Sequence, residues 1–146
     1  MRGNVDVLIS IRPEYVARII NGEKKYEFRK RIFKQQVRRI FIYSSAPQKR
    51  IVGYFDWDGA IAGDVSSVWE QTSKYAGIDE PAYKAYFSAA ESAYAIKLNL
   101  LHLFDKPVNP WYFQGFRPPQ SYCYLGDKDK NLYEKLCDLV QEERNS

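Results

Sequence analysis

The stretch GEKKYEFRKR, residues 22–31, decides the fold. Successive side chains of a β-strand point to opposite faces, so its alternation predicts a strand with one aromatic face (Tyr26, Phe28) and one charged face. The charged face carries Glu27 among basic side chains, which is unusual for solvated surface. We therefore expect this strand to form a site for an anionic or hydrogen-bonding ligand.

A strand and a short helix are predicted before this stretch. VDVLISI, residues 5–11, is apolar enough for the middle of a sheet. Pro13 suits the first turn of a helix, where its missing N–H is harmless, and Gly22 suits the position just after a helix C-terminus. The order strand, helix, strand is therefore expected for the first 31 residues.

The remainder of the chain shows further short strands and three capped helices. Gly53 lies inside one of these strands and indicates a bulge or a close backbone approach. Helices are predicted after Asp64, after Asp79, and after either Asp129 or Asn131, because these side chains can cap a helix N-terminus. The predicted strands cover residues 38–45, 49–57, 93–104 and 120–125.

This pattern predicts an α+β fold. Short alternating strands, few long helices and tight turns favour a small mixed β-barrel with flanking helices, the first helix plugging one end. A split ferredoxin-like sheet is the alternative. The length of 146 residues is typical of one domain, which we expect to span residues 1–146.

The basic charge of the chain is concentrated in its first third. Residues 1–50 hold 13 Lys and Arg against 4 Asp and Glu, a net charge of +9, whereas the whole chain carries +4. Such asymmetry predicts a basic face for a polyanion, most often nucleic acid, with a dispersed basic surface as the alternative. Arg38, Arg39, Lys49 and Arg50 fit a solvated edge or phosphate contacts equally well.

The composition also limits the other classes of function. Cys123 and Cys137 are the only cysteines and are expected to be reduced thiols in a cytoplasmic protein without a signal peptide. With His102 as the single histidine, no metal-ligand spacing is present, and neither a metal nor another cofactor is expected. No apolar run reaches the roughly 20 residues needed to cross a bilayer, so no membrane partner is expected.

The spacing of Gly22, Lys24, Glu27 and Arg29 matches G-x-K-x-x-E-x-R, the signature of the ASCH domain, a member of the PUA-like superfamily. Flanking motifs agree with the same family and extend the resemblance over most of the chain. They are IRP (11–13), YSS (43–45), IVG (51–53), AYAI (93–96) and PPQS (118–121). The chain resembles the stand-alone ASCH proteins described as RNA-binding or regulatory.

The resemblance implies a PUA-like β-barrel with a cleft lined by the signature and a role with RNA. Some small bacterial relatives are amidohydrolases that remove an acetyl group from modified cytidine, using the signature lysine, a nearby threonine and a later glutamate. Here Lys24 keeps the lysine, but Glu27 stands at the threonine position, which argues against the same reaction. Imperfect candidates for the later glutamate are Glu70, Glu80 and Glu91.

Lys24 and the strand after it supply the main predicted ligand contacts. The Lys24 ammonium, expected at the rim of the cleft, suits a phosphate or a carbonyl, and Glu27 suits an exocyclic amine. Arg29 suits bidentate phosphate contact or stacking on a base. A structural ion-pair network is the alternative for these three residues. The predicted nucleic-acid-binding set is Arg12, Lys24, Glu27, Arg29, Arg31, Ser44, Ser45, Gln120 and Ser121.

Three functions fit this site. The first is a nucleic-acid-binding module with a possible regulatory role, with RNA as the expected partner and single-stranded DNA as a second candidate. The second is an enzyme acting on RNA or a modified nucleoside, an amidohydrolase or a ribonuclease, with Glu27 as general base and Lys24 as electrostatic stabiliser. The third is a regulator that binds a small molecule or a protein. Trp111 and Phe113 are the better candidates among the aromatic residues for stacking on bases.

Overall fold

The computed structural model describes residues 3–145. This part of the chain contains strands arranged in two sheets, together with four α-helices. The strands are β1 (Val5–Ile11), β2 (Tyr26–Arg29), β3 (Val37–Ser44), β4 (Arg50–Asp56), β5 (Ala60–Asp64), β6 (Ser92–Lys97), β7 (Leu101–Val108) and β8 (Tyr122–Tyr124). The helices are α1 (Pro13–Ile20), α2 (Val65–Thr72), α3 (Glu80–Tyr86) and α4 (Lys130–Asn145).

The larger sheet has the strand order β7-β4-β3-β1-β8, and the smaller sheet has the order β2-β6-β5. Strands β1 and β3 run parallel because α1 and β2 form the connection between them, and the other pairings are antiparallel. The predicted α+β class is therefore confirmed. Strand pairing within residues 3–145 does not join the two sheets into one closed sheet, so the predicted barrel is not confirmed.

The start of the fold follows the local signals in the sequence. Pro13 opens α1, and Gly22 adopts a φ of 87° just after its end, a conformation that favours glycine. The Asp64 side chain accepts a hydrogen bond of 2.9 Å from the Ser67 N–H and so caps α2. Asp79 caps α3 in the same way.

Gly53 shows both of the features predicted for a glycine within a strand, a bulge and a close backbone approach. The pairing of β3 with β4 and that of β4 with β7 both shift register next to it. A Cβ atom at this residue would collide with the carbonyl oxygen of His102 on β7. The glycine therefore lets β7 approach β4 closely.

The single strand predicted over residues 93–104 is wrong. The chain instead forms β6 and β7, separated by a break in which Leu100 has a φ of 57°. The reason is that β6 pairs with β2 and β5 in the smaller sheet, whereas β7 pairs with β4 in the larger one. Strand β5 was not predicted, since AIAGD has little β propensity by itself and forms along the edge that β6 offers.

The core has three parts, and one of them joins the larger sheet to β6 of the smaller sheet. One face of the larger sheet packs against α1 and β6, including contacts of Ile9, Ile19 and Ile96. The opposite face is covered by α4 through Leu132, Leu136 and Val140. The smaller sheet packs its other side against α2 and α3, around Phe28, Tyr83 and Phe87.

No helix within residues 3–145 is both long enough and apolar enough to cross a membrane.

The two cysteines form no disulfide bond. Cys123 and Cys137 are free thiols, and burial raises the pKa of Cys123 to about 11. Such a thiol stays protonated and unreactive at neutral pH.

Candidate functional site

A cleft of about 1070 Å³ opens between the parts of the chain that carry the two sheets. The larger sheet contributes the end of β1 and the turn after β3, and the other layer contributes β2 and α3. The polar and aromatic lining residues are Ser10, Arg12, Tyr15, Lys24, Glu27, Phe28, Arg29, Tyr43, Ser45, Lys49, Tyr86, Trp111 and Gln120.

Lys24 lies at the base of this cleft rather than at its rim, where the sequence had placed it. The residue is only 3% exposed, because its backbone bridges to Ala76 and its ammonium turns inward. Nζ donates a 3.0 Å hydrogen bond to the Ala76 carbonyl and lies 3.8 Å from Glu27 Oε1. The rings of Tyr15 and Phe28 lie 5.5 and 4.9 Å from Nζ, within the range of cation–π contacts.

Burial lowers the pKa of Lys24 below its ordinary value of 10.5. Glu27 opposes this shift, whereas the positive charges of Arg18 and Arg29 add to it. Removing an ammonium from water disfavours its charged form. Lys24 therefore releases its proton more readily than an exposed lysine does.

Arg29 connects the smaller sheet to the larger one. Its Nη2 donates to Glu27 Oε2 at 2.7 Å and to the Ser10 carbonyl oxygen at 2.9 Å, and its Nη1 donates to Ser121 Oγ at 2.9 Å. We refer to Lys24, Glu27 and Arg29 as the cleft cluster. These three residues form the ion-pair network considered as an alternative, and the same network lines an open cleft.

Three more of the predicted site residues line the cleft, namely Arg12, Ser45 and Gln120. Arg12 stands at the start of α1 with its side chain 73% exposed, and its Nη1 lies 3.9 Å from Glu14 Oε1. An exposed pair at this distance holds a side chain only weakly. Arg12 is therefore available to a ligand at the mouth of the cleft.

Three other predicted residues do not line the cleft. Ser44 is fully buried, because it is the last residue of β3 and its side chain points to the face opposite that of Ser45. Arg31 is exposed and lies outside the lining. Ser121 accepts a hydrogen bond from Arg29 and so acts through that side chain.

Several aromatic and basic residues of the cleft had not been assigned to the site. They are Tyr15 on α1, Tyr86 on α3 and Lys49, which fits a solvated edge or a phosphate contact equally well by sequence. All three line the cleft, and Tyr86 is 41% exposed. Both tyrosines lie within one turn of a helix terminus, which was the only sequence signal for their position. Sequence periodicity cannot distinguish a tyrosine in the core from a tyrosine that lines a cleft.

A second buried charge network lies on the other side of the larger sheet. Asp6 is fully buried and accepts hydrogen bonds from Arg38 (2.9 and 3.1 Å), Arg39 (2.7 and 3.3 Å) and the Tyr133 hydroxyl (2.6 Å). We refer to these four residues as the α4 cluster, since Tyr133 belongs to α4. Arg38 and Arg39 are thus both held by Asp6, but only Arg39 is buried, since the Arg38 side chain is 34% exposed.

Burial raises the pKa of Asp6, but the hydrogen bonds from Arg38, Arg39 and Tyr133 outweigh it and hold the value below the ordinary 3.8. Burial, together with the neighbouring Asp6, raises the pKa of Tyr133 to about 12. The carboxylate is therefore charged and the phenol neutral at neutral pH. This network stabilises the packing of α4.

A third, partly exposed group of charged residues surrounds His102, with Asp56, Glu143 and Arg144. Within the part of the chain that the structure describes, no group of three or more His, Cys, Asp and Glu side chains could hold a metal ion. His102 packs on β7, where its Nδ1 lies 2.8 Å from Glu143 Oε1 and its ring stacks on Tyr54.

A model of the ASCH domain matches residues 9–102. This chain belongs to the ASCH domain family. The resemblance that starts at Gly22 and Lys24 is thereby confirmed at the level of the family. The chain is 31% identical over 141 residues to an "ASCH domain-containing ribonuclease" of Zymomonas mobilis subsp. mobilis, in an alignment that covers 93% of this chain and 95% of that protein.

Crystal structures of an ASCH protein from Zymomonas mobilis have the same fold. A variant with a tyrosine replaced by phenylalanine superposes with a TM-score of 0.78 at 29% identity, covering 90% of this chain and 97% of that chain. A variant with a serine replaced by alanine gives a TM-score of 0.75 at 28% identity, covering 93% and 99% of the two chains. The α+β arrangement is therefore shared with this ASCH protein.

Proposed function

We propose that the cleft binds single-stranded RNA. The observation that carries this proposal is that one cleft combines basic side chains, Arg12 and Lys49, with exposed aromatic side chains, Tyr86 and Trp111. A basic groove for the backbone together with rings on which bases stack is the usual means of binding single strands. The similarity to a protein named as a ribonuclease over nearly the whole chain supports RNA as the partner.

The cleft is large compared with most small-molecule sites and so leaves room for more than one nucleotide. Its volume of about 1070 Å³ is at the upper end of the range of about 300–1,000 Å³ that is common for small-molecule pockets. Bases in a duplex are stacked on each other and are not free to contact protein rings. A ligand that fills this cleft and uses its aromatic residues is therefore single-stranded.

The test is a salt titration of binding with labelled single-stranded RNA, single-stranded DNA and duplex RNA of the same length. We expect single-stranded RNA to bind most tightly. Its log affinity should fall linearly with log salt concentration, with a slope of about −0.7 per neutralised phosphate. Failure of single-stranded RNA to bind at low salt would contradict the proposal.

A paired substitution locates the binding surface. Arg12→Gln with Lys49→Asn removes two positive charges from the cleft, and Asn suits position 49 because Lys49 has a φ of 53°. We expect lower RNA affinity and a smaller salt slope. The control, Lys128→Gln with Lys135→Gln, removes two exposed charges next to and on α4 and should change both quantities much less. An equal loss in the control would place binding outside the cleft.

A second candidate function is RNA cleavage in the same cleft. It is favoured by the relative that is named a ribonuclease and by the position of Glu27 between Lys24 and Arg29. In this reaction Glu27 takes the proton of a 2′-hydroxyl, and O2′ attacks the adjacent phosphorus. The bond from phosphorus to the 5′-oxygen breaks, and this oxygen receives a proton from Lys24. Arg29 stabilises the added negative charge, and the products are a 2′,3′-cyclic phosphate and a 5′-hydroxyl.

Cleavage is tested with labelled single-stranded RNA, with and without a divalent metal ion. We expect the wild type to release fragments with cyclic phosphate ends and Glu27→Gln to bind RNA without cleaving it. Glu14→Gln, which alters an exposed carboxylate beside Arg12, serves as the control and should cleave normally. Equal cleavage by Glu27→Gln would exclude Glu27 as the base.

We also propose that the family's PUA-like barrel describes this fold and that residues 1–146 form one domain. The parallel pairing of β1 with β3 and the packing of β6 against the larger sheet support this proposal. A single cooperative unfolding transition, seen equally by circular dichroism and by tryptophan fluorescence, is expected of one domain. Two separated transitions would contradict it.

A further inference from the structure

We propose that the cleft holds an RNA strand between two aromatic–lysine pairs, one on each layer of the molecule, so that its ligand is an oligonucleotide rather than a single nucleoside. The pairs are Trp111 with Lys49 and Tyr86 with Lys30. This inference rests on the proposed function and extends it to the length and the register of the ligand.

The first pair lies beside the larger sheet. Trp111 is 46% exposed, and its ring is fixed from behind, since Nε1 donates to Tyr43 Oη at 3.3 Å and the ring meets Phe116 edge-on at 5.2 Å. Asn109 Oδ1 accepts from the Trp111 N–H at 3.0 Å and holds the backbone of the turn. Lys49 Nζ lies 5.9 Å from the ring centroid. The ring is therefore presented to the cleft in a preorganised position.

The second pair lies on the layer of the smaller sheet. Tyr86 ends α3, lines the cleft and packs edge-on against the buried Phe87 at 4.7 Å. Lys30, the residue after β2, places its Nζ 4.9 Å from the Tyr86 ring centroid. The ring and the lysine are thus combined as in the first pair, with the difference that Tyr86 lines the cleft and Lys30 lies outside the lining.

Each pair offers the two contacts that one nucleotide needs. In each pair the ammonium lies over the ring. A base that stacks on the ring displaces this ammonium, and the flexible lysine side chain can then meet the phosphate of the same nucleotide. The cleft cluster occupies the junction of the layers, where Arg29 of β2 donates to the Ser10 carbonyl of β1. The proposal places one nucleotide at each pair, with the strand between them crossing the junction that the cleft cluster occupies.

The chain offers matched controls for both rings. Tyr112 follows Trp111 directly and is 84% exposed, yet it does not line the cleft. Tyr75 is 37% exposed and has Lys25 Nζ 4.2 Å from its ring, but it also lies outside the lining. Both control tyrosines therefore offer an exposed aromatic ring, as Trp111 and Tyr86 do, but outside the cleft.

The experiment compares the affinity for uridine oligonucleotides of one to six nucleotides among the wild type, Trp111→Leu and Tyr86→Leu. We expect the wild-type affinity to rise steeply from the mononucleotide to the tetranucleotide and then to level off. Each substitution should weaken tetranucleotide binding about tenfold, as expected for the loss of one stacked base. Tyr112→Leu and Tyr75→Leu should change it less than about twofold.

Tryptophan fluorescence provides a second measurement that does not depend on affinity. Trp57 and Trp69 are partly buried in the cores, so quenching by a stacked base should come from Trp111. We expect saturating tetranucleotide to quench the wild type and to leave Trp111→Phe unquenched. Thermal unfolding of each variant verifies that it is folded under the conditions of the assay.

The outcomes separate this inference from the proposed function. If no RNA binds at any length, the proposed function itself fails. If RNA binds with the expected salt dependence, but the mononucleotide binds as tightly as the tetranucleotide, the inference of two pairs is overturned. It is overturned as well if Trp111→Leu and Tyr86→Leu behave like the two control variants.

Discussion

The cleft cluster and the α4 cluster each place one carboxylate between two cationic side chains. The Asp6 carboxylate accepts hydrogen bonds from Arg38, Arg39 and Tyr133 and has no exposed surface, so it has no capacity left for a ligand. Glu27 differs, since its Oε1 lies 3.8 Å from Lys24 Nζ, beyond hydrogen-bond distance, and it faces an open cleft. A buried ion pair alone therefore does not indicate a functional site. The open space next to Glu27 is what makes the cleft cluster the candidate site of the two.

The largest expected effect is the loss of stability on breaking the α4 cluster. Asp6→Asn leaves Arg39, which is 7% exposed, without a counter-charge, and removing one partner of a buried pair costs about 3–5 kcal/mol. Urea denaturation measures the loss. The exposed Asp105→Asn should cost less than about 0.5 kcal/mol. Under conditions in which the Asp6→Asn variant is folded, its RNA affinity should equal that of the wild type. A loss of RNA binding under these conditions would show that the two clusters are coupled.

A smaller loss in the free energy of unfolding is expected when Glu27, the carboxylate of the cleft cluster, is neutralised. Glu27→Gln removes the negative charge near the buried Lys24 while its amide oxygen can still accept from Arg29, so we expect a cost of about 1–3 kcal/mol. The same denaturation measurement applies, with Glu14→Gln as the exposed control. A cost equal to that of Asp6→Asn would mean that the cleft cluster is as closed as the α4 cluster.

The contribution of α4 itself is tested by Tyr133→Phe. This substitution removes the 2.6 Å hydrogen bond to Asp6, while the two arginines still compensate the carboxylate. We expect a loss of about 1 kcal/mol in the free energy of unfolding. Tyr112→Phe, at an 84% exposed tyrosine, is the matched control and should have no measurable effect. No loss in Tyr133→Phe would show that the arginines alone satisfy Asp6.

The smallest expected effect is a pH dependence from Lys24. Because its pKa is lowered in the folded protein, the unfolded state binds more protons between this lowered pKa and 10.5, and stability gains with rising pH in that window. Lys24→Met should abolish this gain between neutral pH and a pH just below 10.5. Denaturation at both pH values tests it, with Lys128→Met as control. An unchanged pH dependence in Lys24→Met would contradict the assigned cause.

Much of the local structure and part of the site could be predicted from the sequence. Pro13, Gly22 and the caps at Asp64 and Asp79 act within a few residues of their own positions, so their effects are visible in a short window. The signature residues are also close in sequence. The family and the α+β class followed from these features.

The errors came from residues whose surroundings are supplied by distant parts of the chain. Ser44 and Ser45 are neighbours, yet one is buried and the other lines the cleft, because the end of β3 decides which side chain points inward. Arg38 and Arg39 meet Asp6, which lies more than 30 residues away in sequence. The run over residues 93–104 contains no glycine or proline to mark the point where it passes from one sheet to the other.

The sequence by itself determined the elements at the start of the chain, the family and the residues of the cleft cluster, because these depend on local geometry and on a short motif. Only the tertiary structure decided which charges are available to a ligand. Pairing with Asp6 neutralised part of the charge of Arg38 and Arg39 and buried Arg39, whereas the fold brought Tyr86 and Trp111 to the cleft that contains Lys24. Desolvation and access depend on what packs against a residue, and residues far apart in the sequence supply that packing.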